Sequence, residues 1–133
     1  MNDAMGKRVL LVDDDEAVRN VIAMMLESAG AIVIKAEGAA DALELCRADT
    51  FDLVLTDYNM PWMQGDQLAA EIKLLNPFQR VFLMSGFAET TFQNSVFTSS
   101  MDGFLPKPCD LDQLIDALNV KAPPTPDRSR IAA

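Results

Sequence analysis

The sequence predicts an α/β protein, a doubly wound, open parallel sheet assembled as (βα)5. Five short apolar runs, Val9-Leu10-Leu11-Val12, Ile32-Val33-Ile34, Leu53-Val54-Leu55, Val81-Phe82-Leu83-Met84 and Phe104-Leu105, are continuous rather than alternating, as strands covered on both faces require. Segments with helical spacing lie between them. Strand starts at positions 9, 32, 53, 81 and 104 are 21 to 28 residues apart, the length of a strand, a crossover helix and two short loops. Right-handed crossovers then put helices on both faces of the sheet.

Each element has its own signal. After the first run, Val18, Val21, Ile22 and Met25 follow the i, i+3, i+4, i+7 template, and Gly30 supplies a stop. Ala39, Ala42, Leu43 and Cys46 mark the second helix; Leu68, Ile72 and Leu75 mark the third, which Asn76-Pro77 ends. The fourth helical segment, Thr90 to Ser99, is rich in Ser and Thr and has only Phe92 and Val96 as a stripe. Asp110 is placed to cap the fifth, where Leu111, Leu114, Ile115 and Leu118 form one face. No internal repeat occurs at the strand spacing, which disfavours a solenoid. Residues 1–6 and the tail 121–133, with three prolines in four positions after Ala122, are expected to be disordered, leaving residues 7–120 as one domain.

Composition narrows the chemistry. The 133 residues are 50% hydrophobic and 23% charged, globular values that allow one ordinary core. Twenty acidic against eleven basic residues give a net charge of −9, so a nucleic-acid backbone would be repelled. No apolar run approaches the ~18 residues of a membrane span and the N-terminus lacks a signal-peptide pattern, so a cytoplasmic location is expected. Cys46 and Cys109 stand 63 residues apart without a CxxC motif and read as reduced thiols. Histidine is absent, which excludes Ser-His and Cys-His nucleophiles, an HExxH zinc site and a histidine phosphocarrier within this sequence. Chemistry must run on carboxylates, hydroxyls and lysine.

In a sheet of this kind the loops at the carboxyl ends of the strands build the site. Asp13, Asp14 and Asp15 follow the first strand, Asp57 the third, Ser85 the fourth and Lys107 the fifth. Singly, each has an ordinary explanation: helix capping, a turn, a solvated lysine. Together they gather carboxylates, a hydroxyl and an ammonium on one sheet edge.

The chain resembles a response-regulator receiver domain over residues 7 to about 120. The resemblance rests on Val9-Leu-Leu-Val-Asp-Asp-Asp-Glu, Asp52-Leu-Val-Leu-Thr-Asp-Tyr-Asn-Met-Pro with Gly65 following, Leu83-Met-Ser-Gly and Phe104-Leu-Pro-Lys-Pro. The separations of Asp14 from Asp57, 43 residues, and of Ser85 from Lys107, 22 residues, also agree with that family. The resemblance implies a flavodoxin-like sheet of order 2-1-3-4-5 and makes Asp57 the phosphoacceptor of a two-component phosphorelay. Phosphoryl transfer is governed by positioning and electrostatics. Each close pair among Asp13, Asp14 and Asp57 costs on the order of 4 kcal/mol at an effective dielectric of 20. Lys107 cannot balance all three, and Mg²⁺ fits the deficit, with Asp14 and Asp57 as side-chain ligands, Asn59 through its carbonyl, and Asp13 directly or through water. Lys107 and Ser85 would contact phosphoryl oxygens, and the cis peptide that the family has before the residue corresponding to Pro108 would aim the lysine.

By the same resemblance Ser85 and Phe104 form a switch that alters the face made by the fourth helix, fifth strand and fifth helix, where an unidentified downstream protein would bind. Phe87 would shield the phosphoryl group from water. The phosphodonor would be a histidine kinase or histidine phosphotransfer protein. Apart from self-phosphotransfer and self-dephosphorylation, the resemblance implies no enzyme activity. Two alternatives compete: a haloacid-dehalogenase-like phosphatase with Asp13 as nucleophile and Asp15 as acid, and a degenerate receiver used only for docking.

Overall fold

A computed structural model describes residues 4–86 and 102–119. The chain runs β1 (Arg8–Val12), α1 (Glu16–Ser28), β2 (Ile32–Ala36), α2 (Ala39–Ala48), β3 (Leu53–Asp57), α3 (Gly65–Leu75), β4 (Val81–Ser85), β5 (Gly103–Pro106) and α4 (Leu111–Asn119). Helix α4 is the fifth of the helical patterns read from sequence. The segment Thr90 to Ser99, the residue Phe87 and the tail 121–133 lie outside the described residues.

All five strands are parallel, in the order β2-β1-β3-β4-β5. Alternation along each strand divides the apolar side chains between two layers. Val9 and Leu11 of β1, with Leu53, Leu55, Phe82 and Met84, pack against Ile22 and Leu26 of α1 and Leu114 and Leu118 of α4. Leu10, Val12, Val54 and Val81 face the other way, onto Ala39 and Ala42 of α2 and Leu68 and Ile72 of α3. β1, β3 and β4 are therefore apolar at successive positions, as their sequences predict. The edge strands differ: Ile32 at the start of β2 is 53% exposed, because one flank of the strand has no neighbour.

The helices also correct the predicted stripes. In α1 the buried face is Arg19, Ile22, Ala23 and Leu26, while Val21 is 56% exposed. The small Ala23 lets α1 approach the sheet, and that orientation turns Val21 outward. In α3, Leu68, Ala69 and Ile72 are buried, but Leu75, predicted to share that face, is 43% exposed at the helix end. Gly30 adopts φ +97° just beyond α1, and Asn76 closes α3, as their residue types predict.

At the amino ends of the strands, the Arg80 guanidinium donates to the Ala117 carbonyl at 2.5 Å and the Leu118 carbonyl at 3.0 Å. Lys7 reaches the same end of α4, donating to Asn119 Oδ1 at 3.1 Å. Two cations thus sit on the negative end of the helix.

Gly65 fixes the opposite edge. Its N–H donates to the Tyr58 carbonyl at 2.8 Å, and a Cβ here would collide with the Asp57 carbonyl oxygen and come within 2.7 Å of Leu83 Cδ2. Both obstacles are core or backbone atoms. Gly65→Ala is expected to cost about 1–3 kcal/mol, the range for overpacking a filled site; an unchanged urea midpoint would contradict this packing.

Candidate phosphoryl-transfer site

The carboxyl ends of β1, β3, β4 and β5 bring the predicted residues to one edge. Asp13 follows β1 directly and has no solvent exposure; Asp57 and Ser85 end β3 and β4 and are also buried. Lys107 follows β5, and its peptide bond to Pro108 is cis. The Lys107 Nζ lies 2.9 Å from Asp13 Oδ2 and 3.0 Å from Asp57 Oδ1, bridging the ends of β1 and β3. Its backbone N–H donates to the Ser85 carbonyl at 2.7 Å, so strand pairing holds the residue that carries the bridge.

The three consecutive aspartates divide their work. Asp15 is the N-cap of α1: its Oδ1 accepts from the N–H groups of Ala17 at 3.0 Å and Val18 at 3.2 Å. The residue that the phosphatase alternative casts as its acid is thus a helix cap here. Asp13 Oδ1 accepts the Asp15 N–H at 2.9 Å, and Asp14 stays exposed at the rim. Carboxylate oxygens of Asp13, Asp14 and Asp57 lie within 4.8 Å of one another. Asn59 is exposed in the loop beyond β3, and its backbone hydrogen-bonds the Asp57 carboxylate.

Electrostatics follow from this crowding. Burial pushes the Asp57 carboxyl above its ordinary range, and the Lys107 charge and hydrogen bond oppose the shift without cancelling it. Burial acts downward on Lys107, but the hydrogen bond to Asp13 and the charge of Asp57 outweigh it and raise the ammonium's pKa. One cation therefore serves two buried carboxylates, and a third acid stands beside them.

The Ser85 Oγ is buried and has no hydrogen-bond partner among the described residues. A buried hydroxyl gains from an acceptor brought to it, since one left without any costs about 1–3 kcal/mol. Phe104, opposite Leu83 in the β4–β5 register, is half-buried and packs with Leu83 and Tyr58.

Sequence reasoning missed two residues. Arg19 is 7% exposed and donates from Nη1 to the Asp13 carbonyl at 2.7 Å, so a buried guanidinium anchors the acidic turn. A charged residue among the apolar positions of α1 was the available signal. Tyr58 is buried beneath Phe104 and its hydroxyl donates to Gln64 Oε1 at 3.1 Å, bracing the loop after β3. In that loop Trp62 adopts φ +73°, a left-handed conformation costing a non-glycine residue roughly 1–2 kcal/mol.

The family model described as the response regulator receiver domain matches residues 9–119. The chain is similar to the chemotaxis protein CheY of Halobacterium salinarum, 30% identical over 115 residues that cover 86% of this chain and 96% of that protein. It is 34% identical over 128 residues to the transcriptional regulatory protein GlrR of Escherichia coli (strain K12), covering 93% of this chain but only 29% of the regulator's length. Among solved structures, the response regulator protein TrrA of Thermotoga maritima in complex with Mg(2+)-BeF superimposes with a TM-score of 0.75 at 26% identity, covering 83% of this chain and 94% of that one.

The thiols offer no competing nucleophile. Burial pushes Cys46 up to about 11 and raises Cys109 as well. Since the thiolate is the reactive form, iodoacetamide is expected to modify both residues more slowly than a free thiol of pKa about 8.5, with the Cys46 rate still climbing above that pH. Rapid modification near neutrality would contradict their burial.

Proposed function

Because the chain belongs to the response-regulator receiver family and is a receiver domain of two-component signalling, we propose that Asp57 is the residue that takes up the phosphoryl group. An Asp57 carboxylate oxygen attacks phosphorus as the phosphorus–nitrogen bond of a donor phosphohistidine breaks, and the electron pair leaves with the imidazole. The donor histidine lies outside this sequence, which contains none. What supports this reading most is the Lys107 bridge: an ammonium 2.9 Å from Asp13 and 3.0 Å from Asp57 at the sheet edge where the family carries out this transfer.

The donor set fits a hard divalent cation. Three carboxylates meet within 4.8 Å, oxygen atoms are the ligands Mg²⁺ prefers, and a single lysine leaves net negative charge. Asp14 and Asp57 would hold Mg²⁺ through their side chains, Asn59 through its carbonyl and Asp13 directly or through water. Bound there, Mg²⁺ supplies positive charge opposite the transferring phosphoryl oxygens. Lys107 contributes a second positive charge and a hydrogen bond. The Ser85 hydroxyl, which has no partner among the described residues, donates to another phosphoryl oxygen. Arg19 keeps the turn carrying Asp13 and Asp14 in place by holding the Asp13 carbonyl.

Two charge-assisted hydrogen bonds at ~1.5–3 kcal/mol each supply roughly 3–6 kcal/mol, which brackets the ~5.5 kcal/mol that swings a two-state equilibrium from 1:99 to 99:1. Ser85 moving toward the phosphoryl group would free space for Phe104, whose present neighbours are Leu83 and Tyr58. The altered surface would lie on β5, α4 and the segment of the fourth helical pattern, and would engage a downstream protein. The chemistry of the module itself is confined to gaining and losing its own phosphoryl group. Residues 7–120 form the domain in this reading, but the turn before it belongs to the core and is not a disordered flank: Ala4 is buried and the Gly6 N–H donates to the Gly30 carbonyl at 2.9 Å. The output in this reading is protein contact, and the location that goes with receiver signalling is the cytoplasm. No helix among the described residues is long and apolar enough to cross a membrane.

Addition of Mg²⁺ is expected to quench the fluorescence of Trp62, the single tryptophan, five residues past Asp57. Acetyl phosphate should then add the mass of one phosphoryl group, and Asp57→Asn should abolish the mass gain; a gain that persists in this variant would overturn the assignment. Ser85→Ala is expected to keep the mass gain but lose most of the fluorescence and amide-shift response to beryllofluoride, because the acceptor remains and its sensor is gone. An undiminished response in that variant would remove Ser85 from the switch.

A further inference from the structure

Phosphoryl transfer makes no use of Trp62. Its side chain is fully exposed, and with Pro61 it forms one wall of a groove of about 350 Å³. The other wall is the passage from β2 into α2: Glu37, Gly38, Ala39, Ala40 and Asp41. Pro61, the two alanines and the indole make the groove largely apolar. Glu37 and Asp41 are exposed at its rim, and none of its lining residues is basic.

We propose that this groove docks an arginine side chain of a partner protein, with the guanidinium stacked on the Trp62 indole and paired with the carboxylates of Glu37 and Asp41. Charge complementarity selects this occupant. A purely apolar side chain would leave two carboxylates to be desolvated against nothing. An anion would be drawn to the start of α2, whose N-cap Gly38 makes no side-chain hydrogen bond, but it would face both rim carboxylates on a chain of net charge −9. Lysine satisfies the charge but is strongly hydrated and compact, whereas the planar guanidinium sheds water more readily and stacks on an aromatic face. Tryptophan and arginine are also the side chains that most often anchor protein interfaces.

The position gives the contact a use. Asp57 is the last residue of β3, and Trp62 lies five residues beyond it, across the loop from α2. The groove shares no lining residue with the phosphoryl site.

The test is a titration of the ¹⁵N-labelled full chain with the peptide acetyl-Ala-Arg-Ala-amide, its lysine counterpart and inorganic phosphate, read by amide and indole chemical shifts. The arginine peptide is expected to give saturable shifts confined to the Trp62 indole N–H and the amides of Glu37 to Asp41, with lysine about threefold weaker. Phosphate should leave these signals in place. Trp62→Ala should abolish the response while the rest of the spectrum stays superimposable, since the side chain is fully exposed. The pair Glu37→Gln and Asp41→Asn should weaken it independently of the indole. Shifts spread over unrelated carboxylates or centred on Asp13 to Asp15, equal binding of lysine, a response to phosphate at the same amides, or persistence in Trp62→Ala would each overturn the proposal.

Discussion

Three carboxylates brought together by the ends of two adjacent strands are the constraint around which this protein is organised. Parallel pairing of β1 with β3 sets the separation of Asp13 and Asp57, and neither backbone can retreat because each strand is packed on both faces. The repulsion is relieved locally. Lys107 bridges two of the acids, the Asp15 amide holds one Asp13 oxygen, and Arg19 neutralises the field around the turn while tying down its carbonyl. What remains is a residual negative charge at a rigid rim, a condition that favours capture of a hard cation.

The sheet was legible because its central strands carry continuous apolar runs, Val9 to Val12, Leu53 to Leu55 and Val81 to Met84, as strands covered on both faces do. The edge strand β2 follows the same composition and yet exposes Ile32, since apolarity in sequence does not say whether a neighbour lies alongside. Helix faces were less legible. In α1 the predicted stripe holds for Ile22 and, partly buried, for Val18 and Met25, but Val21 turns outward and Arg19, Ala23 and Leu26 complete the buried face. The difference turns on a buried guanidinium, whose burial is made tolerable by the Asp13 carbonyl, a partner that exists only once the turn has formed.

The site was legible as a gathering of residue types and less so as a division of labour. Asp13, Asp14 and Asp15 are indistinguishable in sequence, and folding gives them different places: a buried ion-pair partner, an exposed rim carboxylate and a helix cap. The same limit applies to the hydroxyl of Ser85, whose lack of a partner among the described residues is a property of the packed interior. Tyr58, packed with Phe104, shows how the residue next to Asp57 also buttresses the neighbouring aromatic and the loop that follows.

The contacts of Lys7 and Arg80 with the last turn of α4 carry a consequence for how such a unit is used. They hold the entrance and exit of the fold side by side, on the side of the sheet remote from the carboxylate rim. That seam ties the start of β1 to the end of α4 and leaves the carboxylate rim, at the other ends of the strands, clear of it.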